Sequence, residues 1–206
     1  MISLSLQIRV ARRTYQEALL TSARLETQLL KKHIQPHFMM NTLTAAMEWV
    51  ERDPPSAVRF IGALAVEMRS LFTASGRSLI TLSEELAMCR AHLETQAFRT
   101  GQNHDLTVEG EEEGVQVPPA VFLTLLENGL THGLPDRRYH FHITVAEGGA
   151  HFCFDVDQQE RDGYGNEGAG TRYIKARLEE SYPGRWRYHA GLEGSIWRTA
   201  IEIEKK

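Results

Sequence analysis

From Ala11 to Val50 the chain contains no glycine, and Pro36 is its only proline. Helix formers such as Gln16, Glu17, Ala18, Leu19, Leu20, Leu25, Leu29 and Leu30 fill this run, so helix is the conformation it favours. Apolar residues recur at spacings of three and four, as in Met39, Leu43, Ala46 and Val50, which places them on one face. A helix of about 40 residues is about 60 Å long. That exceeds what one globular core covers, so the stripe is expected to pack on a partner as an arm of a coiled coil or bundle. Asp53-Pro54-Pro55-Ser56 is expected to end the helix. A second helix, with Ile61, Leu64, Met68 and Leu71 on one side, should run to Thr73-Ala74-Ser75-Gly76. Two helices bury little surface, and a dimeric four-helix bundle is the simplest way to cover both stripes.

The remainder reads as a different kind of structure. Residues 1–76 hold nine Lys/Arg against six Asp/Glu, whereas residues 77–206 hold fourteen against twenty-one. A mildly basic helical part followed by an acidic part suggests two units with different work. Thr81-Leu82-Ser83-Glu84 fits a capping box, and Leu82, Leu86, Cys89 and Leu93 line the helix behind it. A short strand is expected from His104 to Glu109. Pro118-Pro119 should open a helix running to about His132. Phe141, Ile143, Val145 and then Phe152, Phe154, Val156 alternate as strands. Gly163 to Gly170 leads into a helix through Ile174 and Leu178, and Trp186–His189 and Ile196–Ile203 read as closing strands. This order predicts an α+β chain in which helices cover one face of a sheet. Two cysteines, Cys89 and Cys153, exclude a disulfide scaffold and a cysteine-rich zinc site. Arg9, Arg12 and Arg13 lack interleaved aromatics, so nucleic acid is not an expected partner.

Three segments carry chemistry. In Gln35-Pro36-His37-Phe38-Met39-Met40-Asn41, His37 and Asn41 lie one helical turn apart. A neutral imidazole is a competent nucleophile near pH 7, and a proline-loosened turn can present it. A kinked helix with a chance histidine explains the same pattern. In Glu127-Asn128-Gly129-Leu130-Thr131-His132-Gly133, Asn128 and His132 are again one turn apart with Glu127 beside them. An amide oxygen suits Mg²⁺ and an imidazole can donate to phosphate, although a polar helix end stopped by Gly133 is an equal reading. Gly168-Ala169-Gly170 before a helix lets backbone approach a phosphate, or is a flexible loop.

Together these motifs resemble the LytS-type sensor histidine kinases of the Bergerat ATPase superfamily. Gln35-Pro36-His37-Phe38 with Asn41 resembles their phosphoacceptor motif, Glu127-Asn128 with His132-Gly133 their N-box, and Gly168-x-Gly170 with Arg177-Leu178 their second glycine box. Leu82-x-Glu84-Glu85-Leu86 and Pro118-Pro119 also fall where that family has them, and the likeness is collinear from about Leu29 to Ile203. Within the family the chain looks most like the kinase region of bacterial seven-transmembrane receptors with a sugar-binding-like extracellular domain. The resemblance implies a dimerisation and phosphotransfer hairpin over residues 1–76 and a Bergerat-type ATP-binding α/β sandwich over residues 77–206. It implies that His37 takes the γ-phosphoryl group of ATP and passes it to a response-regulator aspartate, with Asn41 in the same motif. Asn128 would hold Mg²⁺, Glu127 would be a polar or base partner, His132 would lie near the phosphates, and Gly168 and Gly170 would hinge an ATP lid. The chain would act as a homodimer in the cytoplasm. Ile2 to Val10, followed by arginines, would be the exit of a membrane segment from a missing sensor region.

The family's first glycine box has an Asp-x-Gly that accepts the adenine amine, and Asp155-Val156-Asp157-Gln158-Gln159-Glu160 stands there instead. Gln158 takes the aspartate's place if Phe152, Phe154 and Val156 face inward; Asp157 is the alternative. Thr171 and Tyr173 replace the Leu and Asn expected after Gly170. The expectation is an active kinase weakened by these losses, with a catalytically impaired dimeric scaffold or phosphatase-like partner as the alternative. His140 and His142 lie two apart on one strand face. With no third ligand apparent in the sequence, a solvated face is expected there. Trp49, Trp186 and Trp197 are expected to be packing residues.

Overall fold

A computed structural model describes residues 36–102, 104–110, 114–132, 138–146, 149–157 and 168–204. The helix expected over residues 11–35 and the apolar start lie outside these residues. Helix α1 (Pro36–Arg52) and helix α2 (Pro54–Ser75) pack on each other and are separated by Asp53, whose extended backbone breaks the run. Prolines at the first two positions of α2 lack N–H groups that the helix would not have used, so the break falls at Asp53. Strand β1 (Ile80–Thr81) then leads into α3 (Leu82–Thr100) through the expected capping box. The Thr81 hydroxyl accepts from the Glu84 N–H at 3.2 Å, and the Glu84 carboxylate accepts from the Thr81 N–H at 2.8 Å.

Strand β2 (Asp105–Gly110) follows, then β3 (Gln116–Val117), which pairs with β1 as a small ladder. Helix α4 (Val121–His132), β4 (Arg138–Ala146), β5 (Gly149–Asp157), α5 (Ala169–Ser181), β6 (Trp186–Glu193) and β7 (Ile196–Glu204) complete the order. The main sheet runs β2-β4-β5-β7-β6; β2 is parallel to β4 and the other pairs are antiparallel. Its inner face carries Tyr139, Phe141, Ile143, Phe152, Phe154, Val156 and Ile201, all buried. Leu82, Leu86, Cys89, Leu126, Ile174 and Leu178 of α3, α4 and α5 close on them in one core. The result is an α+β chain: a helical N-terminal part, then three helices on one face of a mixed sheet.

One expectation about helices is corrected. Pro118-Pro119 do not open α4, because Ala120 stands between them and the helix with left-handed backbone (φ 62°). A residue before proline is disfavoured in helix, which keeps position 118 out. Of the stripe Ile61, Leu64, Met68 and Leu71, expected to meet a partner hairpin, Ile61 is exposed in the single chain, Leu64 and Met68 are half-buried and Leu71 is buried. The face that closes on the rest of the chain is Ala57, Phe60, Ala63, Glu67, Leu71 and Ala74. Small alanines permit close approach of helices, so this face carries little of the hydrophobic bulk that marks a stripe in sequence. The bulk stands outside instead: Met40, Leu43, Met47 and Val50 of α1 and Val58, Ile61, Val66 and Phe72 of α2 are exposed in the single chain. Among the described residues, no helix is long and apolar enough to cross a membrane.

The hairpin is tied to α3 at two points. Trp49 donates its indole N–H to the Phe98 carbonyl at 2.9 Å, and the Trp49 and Phe60 rings both meet the Phe98 ring. Nearer the middle of α2, Glu67 meets His92 at 2.7 Å with both side chains buried. Breaking such a pair leaves a stranded polar group, whereas replacing both members by apolar residues removes the liability. Glu67→Leu or His92→Leu alone is expected to cost about 3–5 kcal/mol of stability, and the double variant clearly less than the sum. A double-mutant cycle by denaturant unfolding measures the coupling; simple additivity would mean that the two side chains do not act as a pair.

Candidate functional site

The site grows from a buried carboxylate. Glu85 lies one turn into α3, on the side that carries Leu82 and Cys89, and is wholly buried. It accepts hydrogen bonds from the backbone N–H groups of Ala120 (2.8 Å), Phe122 (2.9 Å) and Leu123 (3.0 Å). Those are donors at the start of α4 that no intrahelical carbonyl can satisfy. One side chain thus caps a helix from a distant part of the chain, and the negative charge sits at the positive end of its dipole. The cap explains why Ala120 holds a left-handed backbone, since that turn aims its N–H at Glu85. Burial nevertheless pushes the Glu85 pKa up to about 7, against the lowering effect of the three N–H donors and of Arg177.

Helix α4 is then seated on the sheet by Gly129. A Cβ at position 129 would lie 3.0 Å from the Tyr139 ring and 3.2 Å from a Val156 methyl. Glycine here brings the helix close to β4 and β5, and it turns the adjacent Asn128 towards α5. Gly170, in the first turn of α5, meets that amide so closely that an added Cβ would be 2.6 Å from Asn128 Oδ1 and 2.8 Å from Nδ2. Gly168 is the N-cap of α5 and supplies no side-chain acceptor to its first turn. The amide of Asn128 therefore stands beside a helix start whose positive end suits anions. Two further buried contacts fix α5. The Tyr173 hydroxyl donates to the Pro119 carbonyl at 3.2 Å, and Arg177 donates to the Arg77 carbonyl at 3.2 Å and to Glu180 at 2.7 Å. Burial raises the Tyr173 and Cys89 pKa values, with the Glu127 charge adding to both, so Glu127 reaches the junction of α3, α4 and α5.

Of the residues singled out in the sequence, Asn128, Glu127, Gly168 and Gly170 gather at this junction. His132 ends α4, and only its backbone is described. Asp157 ends β5, with its side chain outside the described residues; Gln158 lies outside them altogether. The inward facing of Phe152, Phe154 and Val156 is as expected. His37 and Asn41 are not brought to this place by direct packing. They sit in α1, which packs on α2 and α3; Asn41 is exposed and the His37 imidazole is outside the described residues. Glu85, Gly129 and Tyr173 stand within segments quoted from the sequence, but the cap, the close approach and the tie to Pro119 that they provide are not readable there. A signal for Glu85 was present: it falls three after Leu82 and four before Cys89, on the apolar side of its helix.

Comparison with known proteins bears on this arrangement. Residues 25–104, the hairpin region and α3, match the histidine kinase family. The sensor protein LytS of Bacillus subtilis (strain 168) is 27% identical over 143 residues, which cover 68% of this chain and 24% of that protein. Over this stretch the chain is similar to the LytS sensor proteins. The sensor histidine kinase/phosphatase LytS of Staphylococcus aureus (strain MRSA252) is 28% identical over 144 residues, covering 69% of this chain and 24% of that one. The chain thus spans about a quarter of the length of these LytS proteins. A bacterial phosphotransferase solved at 1.7 Å has the same fold, with a TM-score of 0.54 and 15% identity, over 86% of this chain and 95% of that one.

The Glu85 pKa generates a pH dependence. The folded chain holds this proton more tightly than the unfolded chain, where the group titrates near 4.5. The stability it contributes is complete below that pH and is lost as pH rises through about 7. In Glu85→Gln, which cannot titrate, the fall in stability from about pH 5 to about pH 8 should flatten. Glu85→Ala strands three buried N–H groups and should cost about 3 kcal/mol or more. Urea unfolding of the three proteins across that range checks both, and an unchanged slope in the Gln variant would assign the dependence to another group.

Proposed function

We propose that this chain is the catalytic part of a sensor histidine kinase, autophosphorylating His37 from Mg²⁺-ATP and passing the phosphoryl group to a response-regulator aspartate. The observation that carries the reading is the fit of Gly170 against the Asn128 amide. An amide oxygen is a hard ligand suited to Mg²⁺, and the start of α5 suits an anion such as phosphate. Asn128 would hold the ion, Glu127 and His132 would lie at the phosphate side, and Gly168 and Gly170 would let the backbone approach. At His37 the imidazole nitrogen forms a P–N bond as the bond to the ADP oxygen breaks. The ring proton then leaves, with Glu127 as candidate acceptor. Phosphoryl transfer asks mainly for positioning and charge neutralisation, and the buried contacts among α3, α4 and α5 supply a rigid frame for both.

Residues 1–76 act in this reading as a dimerisation and phosphotransfer hairpin, and residues 77–206 as the ATP-binding unit. The exposed apolar faces of α1 and α2 support the dimer, because a second hairpin covers them as a four-helix bundle. The site works on the cytoplasmic side, tethered through a sensor region. The ring of the nucleotide is met by Gln158 or Asp157 in place of the family's Asp-x-Gly, which supports slower turnover. A second reading, an impaired kinase acting as a dimeric phosphatase-like partner, draws on the same replacement. The name of the Staphylococcus aureus relative includes both activities.

Two measurements test this. Incubation with γ-labelled ATP is expected to give an acid-labile label that Gln at position 37 abolishes; label retained in His37→Gln would sink the assignment of that residue. Absence of label from the native chain despite ordinary nucleotide affinity favours the second reading. By calorimetry, Asn128→Ala is expected to weaken Mg²⁺-ATP binding by about tenfold or more, the worth of one charge-assisted contact. Gly170→Ala, which displaces the same amide, should approach that loss. Gly168→Ala, with nothing within 4 Å of the new methyl, should have a smaller effect; equal losses at both glycines would point to hinge motion rather than to the Asn128 contact.

A further inference from the structure

The outer face of the sheet carries a cluster that the nucleotide reading leaves unused. β2 and β4 run parallel in a register that sets Thr107 beside His140 and Glu109 beside His142. Alternation turns these four side chains away from the core, since Tyr139 and Phe141 fill the inner face. The two imidazoles stack with centroids 4.0 Å apart and planes 10° apart. Glu109 reaches both: Oε1 lies 3.5 Å from His140 Nε2 and Oε2 lies 3.4 Å from His142 Nδ1. One ligand atom from each of the three residues lies within 4.8 Å of the others. Ligands bonded at about 2.0–2.1 Å around a tetrahedral ion are separated by about 3.4 Å. The third ligand that the sequence did not reveal is therefore Glu109, supplied by the neighbouring strand.

The surroundings prepare His140 for this role. Its Nδ1 lies 3.3 Å from Thr107 Oγ1, and that hydroxyl donates its own proton to the Tyr139 carbonyl at 3.4 Å. The hydroxyl oxygen is left able to accept from Nδ1, an arrangement that suits the tautomer with a free lone pair on Nε2. Nε2 is shielded from solvent and takes no hydrogen bond. A second partner that fixes the tautomer of an imidazole is the usual support of a metal-bound histidine. Asp155 is 4.0 Å from His142 Nε2, but it is engaged by Arg198 through two hydrogen bonds of 2.8 and 2.7 Å, so it is not a ligand.

We propose that Glu109, His140 and His142 form a binding site for one divalent transition-metal ion of the zinc type, with its fourth position open to water. Two imidazoles and a carboxylate select such an ion over Mg²⁺ or Ca²⁺, which prefer all-oxygen ligands. The site is separate from the Asn128 junction and clips the edge strand β2 to β4. It does not rest on the kinase reading, because its ligands, its ion and its readout are different.

The test is Zn²⁺ titration of the chelator-treated full chain by calorimetry, with Co²⁺ absorption as a second readout. One equivalent is expected to bind, with visible bands of tetrahedral Co²⁺ and a raised unfolding temperature, and millimolar Mg²⁺ should not compete. His140→Ala, His142→Ala and Glu109→Gln should each weaken Zn²⁺ binding by at least about tenfold. His151→Ala, on β5 beyond the cluster, should leave it unchanged. The unfolding temperatures of the metal-free variants establish that each is folded. Equal affinity in the native chain and His142→Ala, equal loss in His151→Ala, or no uptake at all would each overturn the proposal and leave an exposed ion-pair cluster only.

Discussion

Everything that positions the candidate site depends on one buried carboxylate. Glu85 satisfies three backbone donors at the start of α4, and no other described side chain takes them. A helix start in an apolar core without such a partner would strand N–H groups at a cost of about 1–3 kcal/mol each. The carboxylate fixes where α4 begins. Gly129 then fixes how closely the helix lies on the sheet, and Asn128 inherits its direction from both. Gly170 and Tyr173 bring α5 to the same point. The Asn128 amide is thus placed by contacts on its neighbours, which makes it the end of a chain of constraints that starts in α3.

The same helix carries a second buried polar device of opposite use. Glu67 and His92 join α2 to α3 in a region where small side chains permit close approach. The hairpin is therefore more than an appended arm, since Trp49, Phe60 and Glu67 all grip α3 along its length. Meanwhile the large apolar side chains of both hairpin helices point outward. A single chain that hides alanines and a polar Glu67–His92 pair while exposing methionine, leucine and phenylalanine is built to meet another surface. Helix α3 lies between that hairpin and the candidate nucleotide junction, bonded to one through His92 and Phe98 and to the other through Glu85.

Much of the order of elements was legible in the residues. The capping box at Thr81, the end of α4 at His132, the two alternating strands around Phe141 and Phe154, and the closing strands all lie where local patterns put them, because each follows from interactions within a few residues. The pairing of β1 with β3 escaped notice, since two-residue strands have no periodicity to read. The face of α2 that packs within the chain is hard to read because Ala57, Ala63 and Ala74 give weak signals and Glu67 is a polar residue in a buried place. In the candidate site, Asn128 and Gly170 were named from their motifs, but the contact between them spans 42 positions and no spacing rule reaches that far.

The amino-acid sequence by itself determined which segments are helix or strand, the N-cap and glycine signals that bound them, and the residue types able to hold a cation or take a phosphoryl group. Those properties are set by short-range sterics and by the chemistry of single side chains. Only the tertiary structure decided that Glu85 is a helix cap and not a solvated acid, that Tyr173 ties α5 to Pro119, and that Glu109 joins His140 and His142. Each depends on which strands become neighbours and in what register. That choice is made by burial of the whole inner face at once, and no local spacing says which separate positions it brings together.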